Sequence, residues 1–165
     1  MDADIEVATP DDAVAVQRVA RESWHAAYDD VVGPDVVETA IDEWYDPENL
    51  AASMDREDGS FLVARVDGTL VGFAQAVLGD GDDPASLARI YVAPERWGEG
   101  VGTDLLDRLE AWLREAGADR LRLAVMADNA VGNDFYEARG YRVVDERAAD
   151  LFGASVAELV REKSL

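Results

Sequence analysis

The stretch Leu87 to Trp112, LARIYVAPERWGEGVGTDLLDRLEAW, constrains the fold more than any other. Leu87, Ile90, Tyr91 and Val92 form an apolar run of strand character, Pro94 stops it, glycines follow at 98, 100 and 102, and a helical pattern then begins. The reading is strand, glycine turn, helix. Alternating glycines remove the Cβ atoms that would hold a ligand off the backbone, so the amides of Gly98 to Thr103 can converge on one point. That point is a helix N-terminus, where unsatisfied amides and the positive end of the dipole favour a phosphate. Two common nucleotide loops fail on the count. A dinucleotide fingerprint needs a glycine at 103, where Thr103 stands, and a Walker loop needs a lysine, which the stretch lacks.

The rest of the chain supplies elements to pack around this unit. Ile5 and Val7 alternate with polar residues as a short first strand, and Thr9-Pro10-Asp11-Asp12 starts a helix whose apolar face (Ala13, Val16, Ala20, Trp24) carries it to about Tyr28. Pro34 and Pro47 each open a further short helix, over Asp35 to Trp44 and Pro47 to Met54. Phe61 to Val66 and Leu70 to Leu78 are strand-forming runs joined at Asp67-Gly68, a hairpin signal. After the glycine turn, Val101, Leu105, Leu106, Leu109, Trp112 and Leu113 mark one helix face, and Gly117 ends the helix. Leu121, Leu123 and Val125 then form a strand that should lie parallel to the earlier one, reached by a right-handed crossover. A short helix from Asn129 to Gly140 and a strand through Val143 and Val144 follow, while Val156 to Arg161 reads equally as strand or helix.

Length and charge set the outer limits. At 165 residues the chain suits one domain, 1–165, with a core large enough to need no staple. With no cysteine, disulfides, a thiolate nucleophile and Cys-ligated zinc are excluded. No apolar run suits a leader or a membrane span, so a cytoplasmic protein is expected. The net charge is −21, from 36 acidic residues against 15 Lys and Arg, and the acids are spread along the chain. Such a surface repels phosphate backbones and anionic lipid, so no nucleic-acid or membrane partner is expected. It suits a halophile-like, salt-rich cytoplasm, where screening shortens the reach of repulsion.

Two motifs together resemble the GNAT N-acetyltransferases. The first is Val92, Pro94 and Glu95 followed by Trp97-Gly98-Glu99-Gly100-Val101-Gly102, with Trp97 where the family usually carries Gln or Arg. The second runs from Asn129 through Phe135, Tyr136 and Glu137 to Gly140 and Tyr141, with Gly132 where the family carries Ala. The resemblance implies an α/β GNAT fold: a mixed, mostly antiparallel sheet of six to seven strands flanked by helices. Strands 4 and 5 should be parallel and splayed, with the tail as the last strand beside the sixth. It implies an acetyl-CoA-dependent N-acetyltransferase without a metal. Ile90, Tyr91 and Val92 would face the pantetheine arm, Trp97, Gly98, Glu99, Gly100, Val101, Gly102 and Thr103 the pyrophosphate, and Asn129 the pantetheine. Tyr136 would be the general acid near the CoA sulfur.

The acceptor is expected to be the primary amine of a small molecule. Alternatives are a protein N-terminus, or a module that binds acyl-CoA without catalysis; a homodimer is left open. The general base is unassigned, because the strand positions that often hold a glutamate carry Ser86, Ala88, Arg89, Ala124 and Met126. Glu43, Asp128 and His25 are the conceivable substitutes. Trp24, Tyr28, Trp44 and Tyr45 read better as core than as a substrate cage, and His25 as a structural residue.

Overall fold

The computed structural model describes residues 3–165, so Met1 and Asp2 of the acidic N-terminal segment lie outside the described residues. The strands are β1 (Asp4–Val7), β2 (Gly59–Val66), β3 (Thr69–Val77), β4 (Ala85–Val92), β5 (Arg120–Met126), β6 (Arg142–Leu151) and β7 (Ala154–Ser164). The helices are α1 (Ala13–Val32), α2 (Pro34–Trp44), α3 (Pro47–Met54), α4 (Val101–Glu115) and α5 (Ala130–Ala138). Short 3-10 turns at Pro10–Asp12 and Pro94–Arg96 precede α1 and the glycine loop.

The strands form one sheet in the order β1-β2-β3-β4-β5-β7-β6. Every neighbouring pair is antiparallel except β4 and β5, which run parallel because α4 carries the chain back across the sheet. Helices cover both faces. Phe61, Val63 and Phe73 pack with α1 and α2, whereas Leu62, Ala64 and Ala74 pack with Leu105, Leu106 and Leu109 of α4. Burial on both sides explains why β2 and β3 read as unbroken apolar runs rather than alternating ones.

Local chemistry fixes the element ends. The Asp12 carboxylate accepts the Thr9 amide at 2.9 Å, closing the turn that leads into α1. α1 does not stop at Tyr28 but runs four residues further, to Val32, because Asp29 and Asp30 do not break a helix. Gly33, at φ 90°, does. The Asp67-Gly68 hairpin forms as expected, with both residues at positive φ. The last hairpin is longer than the pattern suggested: β6 and β7 have ten and eleven residues and turn at Phe152-Gly153, both also at positive φ. On α4, Glu110 is buried and accepts the Tyr141 hydroxyl at 2.7 Å and the Lys163 ammonium at 2.8 Å, tying the helix to the ends of β6 and β7. Lys163 is the chain's single lysine. Among the described residues, no helix is long and apolar enough to cross a membrane.

Candidate active site

β4 and β5 touch only at their starts. Their pairing consists of Ala85 with Leu121 and Ser86 with Arg122, after which β4 follows β3 through Val92 and β5 follows β7 through Met126. Each strand obeys its outer neighbour, and the gap between them opens into a cleft of about 870 Å³. One end of the cleft is the glycine loop, and the other lies under α1, the end of α2 and the β6–β7 hairpin.

The loop builds a donor cradle. Gly98 and Gly100 sit at φ 81° and 88°, a region that costs other residues strain, and Gly100 is the N-cap of α4. Asp104 donates to the Gly100 carbonyl, and Glu99 donates to that of Arg96. The amides of Gly98, Gly100, Val101, Gly102 and Thr103 have no acceptor among the described residues. Five unpaired donors at the positive end of a fifteen-residue helix suit a diphosphate. Gly102 lies against the Phe135 ring, where an added Cβ would make an ordinary contact at 3.5 Å. Trp97, at the position expected to contact pyrophosphate, donates its indole N–H to the Val92 carbonyl at 2.8 Å. The Ser23 hydroxyl donates to the same oxygen at 2.9 Å. The single Ser23 proton is shared with the Val19 carbonyl at 2.6 Å, so the Trp97 indole is the main side-chain donor on Val92, while the carbonyls of Ile90 and Tyr91, also along the cleft, carry none among the described residues. Trp97 braces the loop to the strand end.

On the opposite wall Asn129 caps α5, its Oδ1 accepting the Gly132 amide at 2.9 Å and its Nδ2 donating to the Tyr28 hydroxyl at 3.0 Å. This explains the glycine at 132, where a Cβ would stand 2.6 Å from Asn129 Nδ2. Tyr136, on α5, lines the cleft with its ring against Phe135 and Tyr141, and its hydroxyl makes no hydrogen bond among the described residues. Burial, reinforced by the neighbouring Tyr28 and Tyr45, raises its pKa far above the ordinary phenol value. Tyr136 is therefore fully protonated.

Trp24, Tyr28 and Tyr45 are buried, as core residues would be, yet Trp24 and Tyr28 also line the cleft beside the half-exposed Trp44. Of the three conceivable bases only Asp128 lines it. His25 sits instead between α1 and α2, with ring nitrogens 2.6 Å from both Asp29 and Glu38, and Glu43 is elsewhere on α2. The sequence reading did not single out Glu158. It lies on β7, opposite Met126 of β5 and Arg147 of β6, and lines the cleft with its side chain 25% exposed. No local motif marks it, since its neighbours in space come from other strands. Among the described residues, no cluster of three His, Asp or Glu side chains is placed to hold a metal ion.

The family model for the acetyltransferase (GNAT) family matches residues 17–141. A spermidine N(1)-acetyltransferase of Thermoplasma acidophilum is 31% identical over 154 residues, covering 91% of this chain and 94% of that protein. The crystal structure of the PaiA N-acetyltransferase of Thermoplasma acidophilum, solved in complex with coenzyme A, superposes over all of both chains with a TM-score of 0.87 and 30% identity. A GCN5-related N-acetyltransferase structure from Rhodopseudomonas palustris gives a TM-score of 0.81 at 26% identity, covering 100% of this chain and 97% of that one. The chain belongs to the GNAT acetyltransferase family. It is an acetyl-CoA-dependent N-acetyltransferase.

Proposed function

We propose that the protein transfers the acetyl group of acetyl-CoA to a primary amine of a small, flexible polyamine. The observation that carries this reading is one continuous cleft running from the unpaired amides of the glycine loop to a wall of Trp24, Tyr28 and Trp44. A cation is at home against aromatic faces in so acidic a chain. The similarity to an enzyme named for spermidine supports the same acceptor class.

In this reading the loop amides hold the diphosphate, and the open edge of β4 at Ile90 and Tyr91 aligns the pantetheine arm against Asn129. The neutral amine attacks the thioester carbonyl, a C–N bond forms, the C–S bond breaks, and the amine's surplus proton leaves to water. The thiolate takes its proton from Tyr136, and the phenolate regains one from the water that received the amine's proton. Burial makes the phenol a weaker acid, but it penalises a bare thiolate at the same place, so the transfer stays matched. Alignment of the two reactants does the larger share of the work.

The test is an acetylation screen with acetyl-CoA against polyamines, monoamines, amino acids and short peptides, with release of free thiol as the readout. Turnover on polyamines supports the reading. Turnover on peptide N-termini alone, or coenzyme binding with no turnover on any amine, overturns it.

A further inference from the structure

The end of the cleft away from the glycine loop contains a carboxylate whose partner is easily replaced. Among the described residues, three acidic side chains line the cleft, Asp128, Asp150 and Glu158, and of these only Glu158 is partly buried; the other two are exposed. Its placement follows from strand register. Glu158 faces Met126 across β5 and Arg147 across β6, so it emerges on the sheet face that α1 covers. Its charge reaches Tyr28, whose hydroxyl is raised above the ordinary phenol range, first by burial and then in part by this carboxylate. Tyr28 in turn acts on Tyr136. Tyr136, Tyr28 and Glu158 all line the one cleft.

Among the described residues, Glu158 has one ionic partner, the guanidinium of Arg147, which reaches it by a single Nε to Oε2 contact of 3.2 Å from a side chain 57% exposed. Such a contact is monodentate and mostly in water, so it holds weakly. The rings of Trp24, Tyr28 and Trp44 line the same cleft and pack against one another. A partly buried carboxylate that shares a cleft with aromatic rings and is paired with a loosely held cation is chemically a receptor for a cation that arrives from solution.

We infer that Glu158 anchors a second, non-reacting ammonium of the acceptor, and that Arg147 holds that place until the acceptor displaces it. The inference rests on the acceptor class proposed above. Glu158 sets specificity: it selects acceptors with a second charge at a fixed reach from the attacking nitrogen, while bond making takes place at the Tyr136 end. Arg147, by competing for the same carboxylate, lowers apparent affinity and favours release of the acetylated product, which keeps one charge fewer.

The experiment compares 1,4-diaminobutane with butylamine as acceptors in wild type, Glu158→Gln, Glu158→Asp and Arg147→Ala. Calorimetric binding of each amine to the same four proteins is measured alongside turnover. Wild type should prefer the diamine, and Glu158→Gln should lower kcat/KM for it by roughly ten- to a hundredfold, the cost of losing a charge-assisted contact. Butylamine turnover should not change, so the preference disappears. Glu158→Asp, which keeps the charge one methylene further back, should recover part of it, and Arg147→Ala should lower KM for the diamine. Equal loss on both amines in Glu158→Gln, or an unchanged diamine preference, overturns the inference. If no protein transfers acetyl to either amine but diamine binding still depends on Glu158, the anchor stands and the proposed reaction falls. If diamine binding is indifferent to Glu158, the anchor falls.

Discussion

Tyr136 and Glu158 show how one cleft can give neighbouring residues different tasks. Tyr136 is buried, protonated and free of hydrogen bonds among the described residues, so its proton is available to a leaving group. Substituting Tyr136→Phe keeps the ring packing against Phe135 and Tyr141 and removes only the hydroxyl. Turnover should fall about a hundredfold, the low end of what a general acid contributes, while acetyl-CoA affinity stays within about twofold by calorimetry. Unchanged turnover would remove Tyr136 from the reaction. Tyr136 was legible in the sequence because it stands inside a local motif, Asn129 to Tyr141, whose spacing survives without the fold. Glu158 was not, because what makes it notable is its register opposite Met126, 32 positions earlier in the chain, and Arg147 across the hairpin. Trp97 stands in the loop expected at the pyrophosphate, and its indole secures Val92, a partner that only the bend at Pro94–Arg96 brings within reach.

Among the elements, the glycine loop and the α1–α2 pair have opposite origins of stability. At Gly100 the left-handed backbone is the requirement, since a Cβ there would meet nothing within 4 Å. Gly100→Ala should therefore cost only the conformational strain, about 1–2 kcal/mol of unfolding free energy, seen as a fall of a few degrees in Tm. Relaxation of that strain by turning the loop would also misalign the amides of Val101 and Gly102, so coenzyme affinity should fall by more than the stability loss alone implies. The α1–α2 pair is held in part by His25 between Asp29 and Glu38. Its hydrogen bond to Glu38 raises the His25 pKa above the ordinary 6.5, and the same bond lowers Glu38 below 4.5. A raised histidine contributes fully below 6.5 and loses that contribution as pH climbs through its folded value; a lowered carboxylate contributes above 4.5 and loses it as pH falls. The clamp is therefore strongest between those limits. Thermal melts across pH 4 to 9 should show a loss of stability as pH rises beyond 6.5 that Glu38→Gln and His25→Gln each flatten. Helix starts at Pro34 and Pro47 and the Asp67-Gly68 hairpin were readable because their signals are local. The Phe152-Gly153 turn was not, since phenylalanine at positive φ is no turn signal and the pairing of β6 with β7 imposes it.

For the whole molecule, the net charge of −21 outweighs any single ion pair. Many of the arginines are already committed to neighbouring acids, such as Arg65 to Glu6 and Asp12, and Arg122 to Glu162, so most of the surplus charge faces solvent unneutralised. Salt shortens the reach of the resulting repulsion from about 10 Å at 0.1 M to about 3 Å at 1 M. Melting temperature should rise by several degrees over that range of NaCl, measured by calorimetry at fixed pH. A flat or falling curve would mean that the acids are arranged without mutual strain. The brevity of the contact between β4 and β5 has a mechanical meaning at this scale. Two residue pairs are a hinge line rather than a wall, and α4, packed on the β1–β4 leaf, reaches the β5–β7 leaf through Glu110, which holds Tyr141 and Lys163. A thioester arm laid along that line would act as the missing rung between them, and the protein would be stiffest at the moment its two reactants must be held still.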